Sequence, residues 1–143
     1  MIALAIAGLA VFLQPPLTPT RESETTLLVE EYDQQLEATL ATMISSAEID
    51  ENGEIFFARP IGDPRYLQPR SGRYWQVSDG TKGALTSRSL FDRMIKLANT
   101  APLGETLFYD SNQFESEPLR IAQRTVRLPG SNVDWQFVAA RAR

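Results

Sequence analysis

A long helical pattern near the start of the chain constrains the fold more than any other feature of the sequence. Across residues 22–47, apolar side chains recur at spacings of three and four residues, so they form one stripe on a helix. The stripe consists of Leu28, Tyr32, Leu36, Leu40, Met43, Ile44 and Ala47. Because each helical residue rises 1.5 Å, this segment would extend about 39 Å, so part of the stripe could extend past the sheet of a chain this small.

Two interpretations of this stripe stay open. In the first, the stripe packs entirely on the sheet of its own domain. In the second, the part beyond the sheet contacts a second copy of the chain, which predicts a homodimer through the N-terminal helix. Changing Leu36 or Leu40 to Asp would then weaken self-association before it unfolds the sheet.

After Ser45 the periodicity changes to that of strands. The patterns predict strands at residues 54–59, 73–78, 84–91, 105–109, 119–128 and 133–140, with a hairpin turn at Asp79-Gly80 and a tight turn at Asn52-Gly53. A shift of the apolar phase between Ile121 and Val126 predicts a β-bulge near Gln123 or Arg124. The sequence therefore predicts an α+β fold, in which one long helix covers one face of an antiparallel sheet of about five strands.

The chain starts with an uninterrupted apolar run at residues 2–13, which is twelve residues long. A helix needs roughly 20 residues to cross a bilayer. We interpret residues 1–14 as a truncated transmembrane helix, with an ordinary buried helix as the alternative. Prolines within residues 15–21 indicate a linker, and residues 22–143 form one domain.

Charge and composition exclude several classes of function. The net charge of -4 argues against nucleic acid as a partner. The first 58 residues carry -9 and the remainder +5, so the two parts should attract each other. The chain has no cysteine and no histidine, which excludes disulfides, thiol nucleophiles, the usual zinc sites and a Ser-His-Asp triad. The sequence predicts no metal site, no cofactor and no catalytic residue.

Three short motifs are more distinctive. They are Asp63-Pro64-Arg65-Tyr66, Ser71-Gly72-Arg73-Tyr74-Trp75-Gln76-Val77 and Ser87-Arg88-Ser89-Leu90-Phe91-Asp92. Together with Leu119-Arg120-Ile121 and Val126-Arg127-Leu128-Pro129-Gly130, this pattern resembles the extracytoplasmic sensor region of bacterial sensor histidine kinases of two-component systems. The resemblance covers roughly residues 32–140.

The resemblance implies a PAS-like sensor domain in the periplasm, tethered to the bacterial inner membrane by flanking helices. An unknown small molecule or periplasmic protein would be the signal. The parent protein would be a histidine kinase, whereas this chain would not itself be an enzyme, because it has no histidine to accept a phosphoryl group. A freestanding periplasmic binding or interaction module is the alternative, and a hydrolase is a more distant one.

The motifs also supply candidate site residues. Tyr74 and Trp75 are adjacent on a strand, so they should face opposite sides of the sheet. Tyr74, Trp75, Arg88 and Ser89 are candidate ligand-binding residues. Arg88 could hold an anion, but we predict that it has a structural role and pairs with Asp63. Trp135 is predicted to be structural as well, because Val133, Trp135, Phe137 and Ala139 share one strand face, as expected over a core.

Overall fold

The computed structural model describes residues 20–80, 85–98 and 100–143. Helix α1 (Arg21–Ser46) has 26 residues and begins after Thr20, whose side-chain oxygen accepts a hydrogen bond from the backbone N–H of Ser23. Such a cap satisfies one of the free N–H groups of the first turn. The long helix is confirmed. The predicted transmembrane helix and most of the predicted linker lie outside the described residues, and no helix within those residues has the apolar length needed to cross a bilayer.

A short hairpin follows the helix. Strands β1 (Ala47–Ile49) and β2 (Ile55–Phe57) form a separate two-stranded antiparallel sheet. The side chain of Asp50 accepts hydrogen bonds from the backbone N–H groups of Asn52 and Glu54, which closes the turn between them. The strand predicted at residues 54–59 is therefore present but short, and its partner β1 was not predicted.

The main sheet has five strands, β3 (Arg73–Ser78), β4 (Leu85–Thr86), β5 (Thr106–Phe114), β6 (Glu117–Val126) and β7 (Trp135–Ala142). Their spatial order is β4-β3-β7-β6-β5, and every neighbouring pair is antiparallel. For the described residues, the α+β prediction of one long helix and an antiparallel sheet of about five strands is confirmed.

The two faces of this sheet carry separate apolar clusters. On one face, Leu36, Leu40 and Met43 of α1 pack on Val77, Ala122, Trp135, Phe137 and Ala139. On the other face, Leu90 and Ile95 from the segment after β4 pack on Tyr74, Phe114, Leu119, Ile121, Val138 and Ala140. Trp135, Phe137 and Ala139 share the helix-facing side, as the alternation in β7 predicted. Both faces are therefore covered.

The β-bulge predicted near Gln123 or Arg124 is wrong. Strand β6 pairs without a register shift through both positions, and the irregularity in this region lies in β5 between Ser111 and Phe114. The apolar phase seemed to shift because Gln123 and Thr125 are buried polar residues. Gln123 accepts a hydrogen bond from the hydroxyl of Tyr109, and Thr125 donates to the backbone carbonyl of Ala101.

Opposite charges join the helix to the sheet. Arg120 of β6 pairs with Asp33 of α1 at 2.8 Å, and Arg124 of β6 lies 3.5 Å from the carboxylate of Glu37. The attraction predicted between the acidic first part of the chain and the basic remainder therefore operates between α1 and the sheet.

The apolar stripe of α1 divides into two parts. Leu36 and Leu40 are 3% and 0% exposed, because they pack on the sheet of their own domain. The expectation that Asp at either position would act on self-association before stability is therefore wrong. Leu27 and Leu28, in the N-terminal part of the helix, are exposed, and only this part remains available for a second copy.

Candidate functional site

Tyr74 lies in a closed network on the face away from the helix. Its hydroxyl accepts hydrogen bonds from the backbone N–H of Gly72 and from Nη2 of Arg93, and it donates to the carboxylate of Glu117. The guanidinium of Arg93 also stacks on the rings of Tyr74 and Phe114. Burial raises the pKa of Tyr74, and the hydrogen bond to Glu117 adds to this effect. Because the hydroxyl is satisfied within the protein, the contacts of Tyr74 favour a structural role.

Trp75 points to the opposite, helix-facing side, as the sequence predicted. Its ring meets the ring of Phe57 edge-on, with 5.0 Å between centroids. The backbone N–H of Trp75 donates to the hydroxyl of Ser87. The side chain therefore joins the β1–β2 hairpin to the main sheet and does not share a site with Tyr74.

The predicted pair of Asp63 and Arg88 does not form. Strand β4 ends at Thr86, and Arg88 begins a short 3-10 turn (Arg88–Leu90) that points its side chain outward. Arg88 is therefore not on the returning strand. Asp63 caps the 3-10 turn Pro64–Leu67 and pairs with Arg65 at 2.6 Å, which holds the pKa of Asp63 below its usual value.

Ser89 and Trp135 are both internal. The hydroxyl of Ser89 lies 2.7 Å from that of Ser87 and donates to the carbonyl of Arg73 at 2.5 Å. The indole N–H of Trp135 donates to the hydroxyl of Ser131. Of the four candidate ligand-binding residues, the structure therefore buries Tyr74 and Ser89, half-buries Trp75 and exposes Arg88. It does not gather the four into one cavity.

A different group of residues stands out on the helix-facing side. Arg73 of β3, Arg141 of β7 and Arg120 of β6 occupy directly opposed register positions, and we call these three residues the arginine row. Directly opposed residues in an antiparallel sheet have Cβ atoms about 5 Å apart, so like charges there repel. The repulsion within this row must therefore be offset by acidic partners in the protein or by a bound anion.

Compensation is complete at only one end of the row. Arg120 pairs with Asp33 and, at 3.2 Å, with Asp110. Arg141 lies over the ring of Tyr32, 3.6 Å from its centroid, and donates to the side-chain oxygen of Gln35 at 2.6 Å. Among the described residues, the guanidinium of Arg73 donates only to the carbonyl of Gly72, at 3.4 Å. Within the described part of the chain, neither Arg73 nor Arg141 has a carboxylate at ion-pair distance.

A cavity of about 250 Å³ opens beside these two arginines, between α1 and the sheet. We call it the arginine pocket. Its polar lining consists of Gln35, Thr39, Asp63, Arg65, Tyr66, Arg73 and Arg141. The hydroxyls of Thr39 and Tyr66 are 3.1 Å apart, so they bond to each other across its wall.

The arginine pocket carries a net positive charge, because three arginines and one carboxylate line it. Burial lowers the pKa of Arg73, and the neighbouring charges of Arg141 and Arg65 lower it further. Burial also lowers the pKa of Arg141, again with a contribution from Arg65. A planar guanidinium donates two parallel hydrogen bonds to a carboxylate or phosphate. The chemistry of the pocket is therefore that of an anion site.

A second cavity offers a polar ligand fewer free hydrogen-bonding groups. It has a volume of about 440 Å³ and lies beside Gln76, Ile95 and Leu97. Both ends of the Gln76 amide are already bonded to the backbone of Ile95, at 2.8 and 2.9 Å.

Comparison with protein-family models, with curated proteins and with solved structures finds no significant match to this chain. Among residues 20–80, 85–98 and 100–143, no three acidic side chains gather in a way that could hold a metal ion. The arginine pocket is the site that the geometry supports best.

Proposed function

We propose that this chain is the signal-input domain of a membrane-bound sensor histidine kinase in a two-component system. The motifs quoted from the sequence suggest this family, and an α+β domain headed by a long helix agrees with it. The PAS-like character of the sheet and the periplasmic position of the domain belong to the same proposal.

One geometric observation carries the proposal. The N-terminal turns of α1 and the last residues of β7 leave the domain at the same end. Trp135 and Phe137, early in β7, belong to the cluster that contains Leu40 of α1, whereas Arg141 contacts Tyr32 and Gln35. Strand β7 therefore runs antiparallel to α1. Two flanking segments could enter one membrane from this end, as signal transfer to a kinase core requires.

The transmission step that we propose is a population shift. Helix α1 is joined to the sheet near Asp33 by polar and ionic contacts, and farther along by the apolar packing of Leu36 and Leu40. A signal that favours one arrangement of these contacts would change how α1 sits on the sheet. The chain ends beside the same contacts, because Arg143 and Arg120 share the carboxylate of Asp110.

Autophosphorylation of the full-length parent in membrane vesicles tests this function. We expect its gene to encode a second apolar segment soon after Arg143, followed by a kinase core with a phosphoacceptor histidine. Arg120→Gln should alter autophosphorylation, because it removes the contact with Asp33. Arg127→Gln is the matched control, since Arg127 pairs with Asp134 just after the other end of β6. A stop codon directly after Arg143 would contradict the proposal and favour a freestanding binding module.

We also propose that the N-terminal part of α1 contacts a second copy of the chain. Leu27 and Leu28 are 62% and 47% exposed in the N-terminal part of α1, and Leu28 belongs to the apolar stripe. Sedimentation of the full chain should show a weaker dimer after Leu27→Asp. Leu67→Asp is the control, because Leu67 is similarly exposed at 64% but lies in the 3-10 turn Pro64–Leu67. A monomeric parent chain at high concentration would contradict this contact.

A further inference from the structure

We infer that the arginine pocket binds a small dianion, whose oxygens pair with the guanidinium groups of Arg73 and Arg141. If the proposed function is correct, the dianion would be the signal; only this consequence rests on the proposed function. Binding itself can be measured on this chain without any kinase.

The charge of the pocket sets the charge of the ligand. Arg65, Arg73 and Arg141 contribute three positive charges, and Asp63 contributes one negative charge. Asp63 is already occupied, because it accepts three hydrogen bonds from the side chain of Arg65. Glu31 acts on Arg141 through its charge but does not line the cavity. Two positive charges therefore remain for a ligand, and both sit on arginines without a carboxylate partner.

The arrangement is costly without an anion. Arg73 and Arg141 are directly opposed on neighbouring strands, where like charges destabilise the sheet. Both side chains are half-buried, so water screens their repulsion less than at an open surface. An anion that bridges the two guanidinium groups would offset this repulsion.

The size and lining of the pocket limit the ligand further. A volume of about 250 Å³ corresponds to roughly eight water molecules at about 30 Å³ each. This space admits a short dicarboxylate as well as a phosphate group. The side-chain amide N–H group of Gln35 could add hydrogen bonds to ligand oxygens, and the side chain of Leu36 adds an apolar wall. The shared chemistry is a pair of negative charges on oxygen atoms.

Arg141 connects the pocket to helix α1. Its guanidinium lines the cavity and at the same time covers Tyr32 and donates to Gln35. An anion that pairs with Arg141 would compete with these two contacts or change their geometry. Occupancy of the pocket would therefore change how the middle of α1 is held.

Thermal unfolding of the full chain tests the binding step. Succinate and inorganic phosphate are the probes, succinamide is the neutral analogue of succinate, and sodium chloride matches the ionic strength. We expect a millimolar dianion to raise the melting temperature above the chloride control, and succinamide to have no effect. Stabilisation by succinate alone identifies a carboxylate site, and stabilisation by phosphate alone identifies a phosphate site.

Two variants show where the anion binds. Arg73→Gln should weaken binding at least tenfold, while the unliganded protein keeps or gains stability because the repulsion with Arg141 is relieved. Arg127→Gln also removes one positive charge, but outside the pocket, so it should retain binding. The inference is overturned if neither dianion stabilises the chain beyond chloride, or if the stabilisation survives Arg73→Gln.

Hydrogen exchange of the α1 amides separates this inference from the proposed function. We expect exchange in the turn around Tyr32 to change when the dianion binds. Binding that leaves exchange throughout α1 unaltered would keep the anion site but remove the route of transmission. Absence of binding would remove the anion site and leave the receptor proposal to the autophosphorylation test.

Discussion

The contact between Arg120 and Asp33 offers a quantitative test of how α1 is held to the sheet. Nε and Nη2 of Arg120 donate to the two carboxylate oxygens of Asp33, each at 2.8 Å. The two side chains are only 15% and 22% exposed. Exposed ion pairs contribute up to about 1 kcal/mol, whereas hydrogen bonds to charged groups contribute about 1.5–3 kcal/mol. For this two-pronged, mostly covered pair we expect a coupling free energy of about 1–2 kcal/mol.

A double-mutant cycle measures this coupling. Asp33→Ala, Arg120→Ala and the double variant are unfolded in urea and followed by circular dichroism. Asp110 supplies the matched comparison, because it accepts a single bond from Arg120 at 3.2 Å and is 50% exposed. Its cycle with Arg120 should give less than about 0.5 kcal/mol. If the coupling to Asp33 were no larger than the coupling to Asp110, the reasoning from geometry and burial would be refuted.

Three further predictions concern stability. Leu40 is fully buried, so Leu40→Ala should lower the free energy of unfolding by about 2–5 kcal/mol. Leu27→Ala should change it by less than about 0.5 kcal/mol. Equal losses of stability in urea titrations would contradict the packing of α1. The raised pKa of Tyr74 favours the folded state when the pH is below 10.0, the ordinary pKa of tyrosine. This contribution to stability is lost as the pH rises through the raised pKa. The melting temperature should therefore fall above pH 10, and it should fall less steeply in Tyr74→Phe. Gly72→Ala should lower the free energy of unfolding by about 1–3 kcal/mol. The reason is that Gly72 has φ +86°, and a Cβ there would lie 3.2 Å from the Cβ of Ala142. Gly62→Ala is the control and should lower stability less in the same melts, because a Cβ at Gly62 meets nothing within 4 Å.

Local patterns predicted much of the fold. The period of 3.6 in residues 22–47 predicted α1 to within one residue at each end, and the aromatic and β-branched residues at 73–78 predicted β3 at its observed bounds. Both signals depend on neighbours in the sequence alone. The apolar pattern wrongly predicted a β-bulge in β6. Both faces of this strand are covered and some buried side chains are polar, so apolar and polar residues do not alternate regularly along it.

The arginine pocket could not be predicted in this way. Arg73, Arg120 and Arg141 come from three strands, and they meet only because the register of both strand pairings is fixed. A slip of one residue in either pairing would send one of them to the opposite face. Arg88 attracted attention because it lies in a distinctive motif. The two-residue length of β4, which places Arg88 outside the sheet, has no signal in the sequence.

The length of α1 beyond Asp33 gives this domain a mechanical property. Twelve residues separate Asp33 from the start of the helix at Arg21, which corresponds to about 18 Å at 1.5 Å per residue. A rigid rod pivoting at Asp33 through about 5° would move its far end by about 1.5 Å, although atoms at the pivot would hardly shift. A small rotation of α1 about Asp33 could therefore displace the start of the helix at Arg21 without disturbing the sheet.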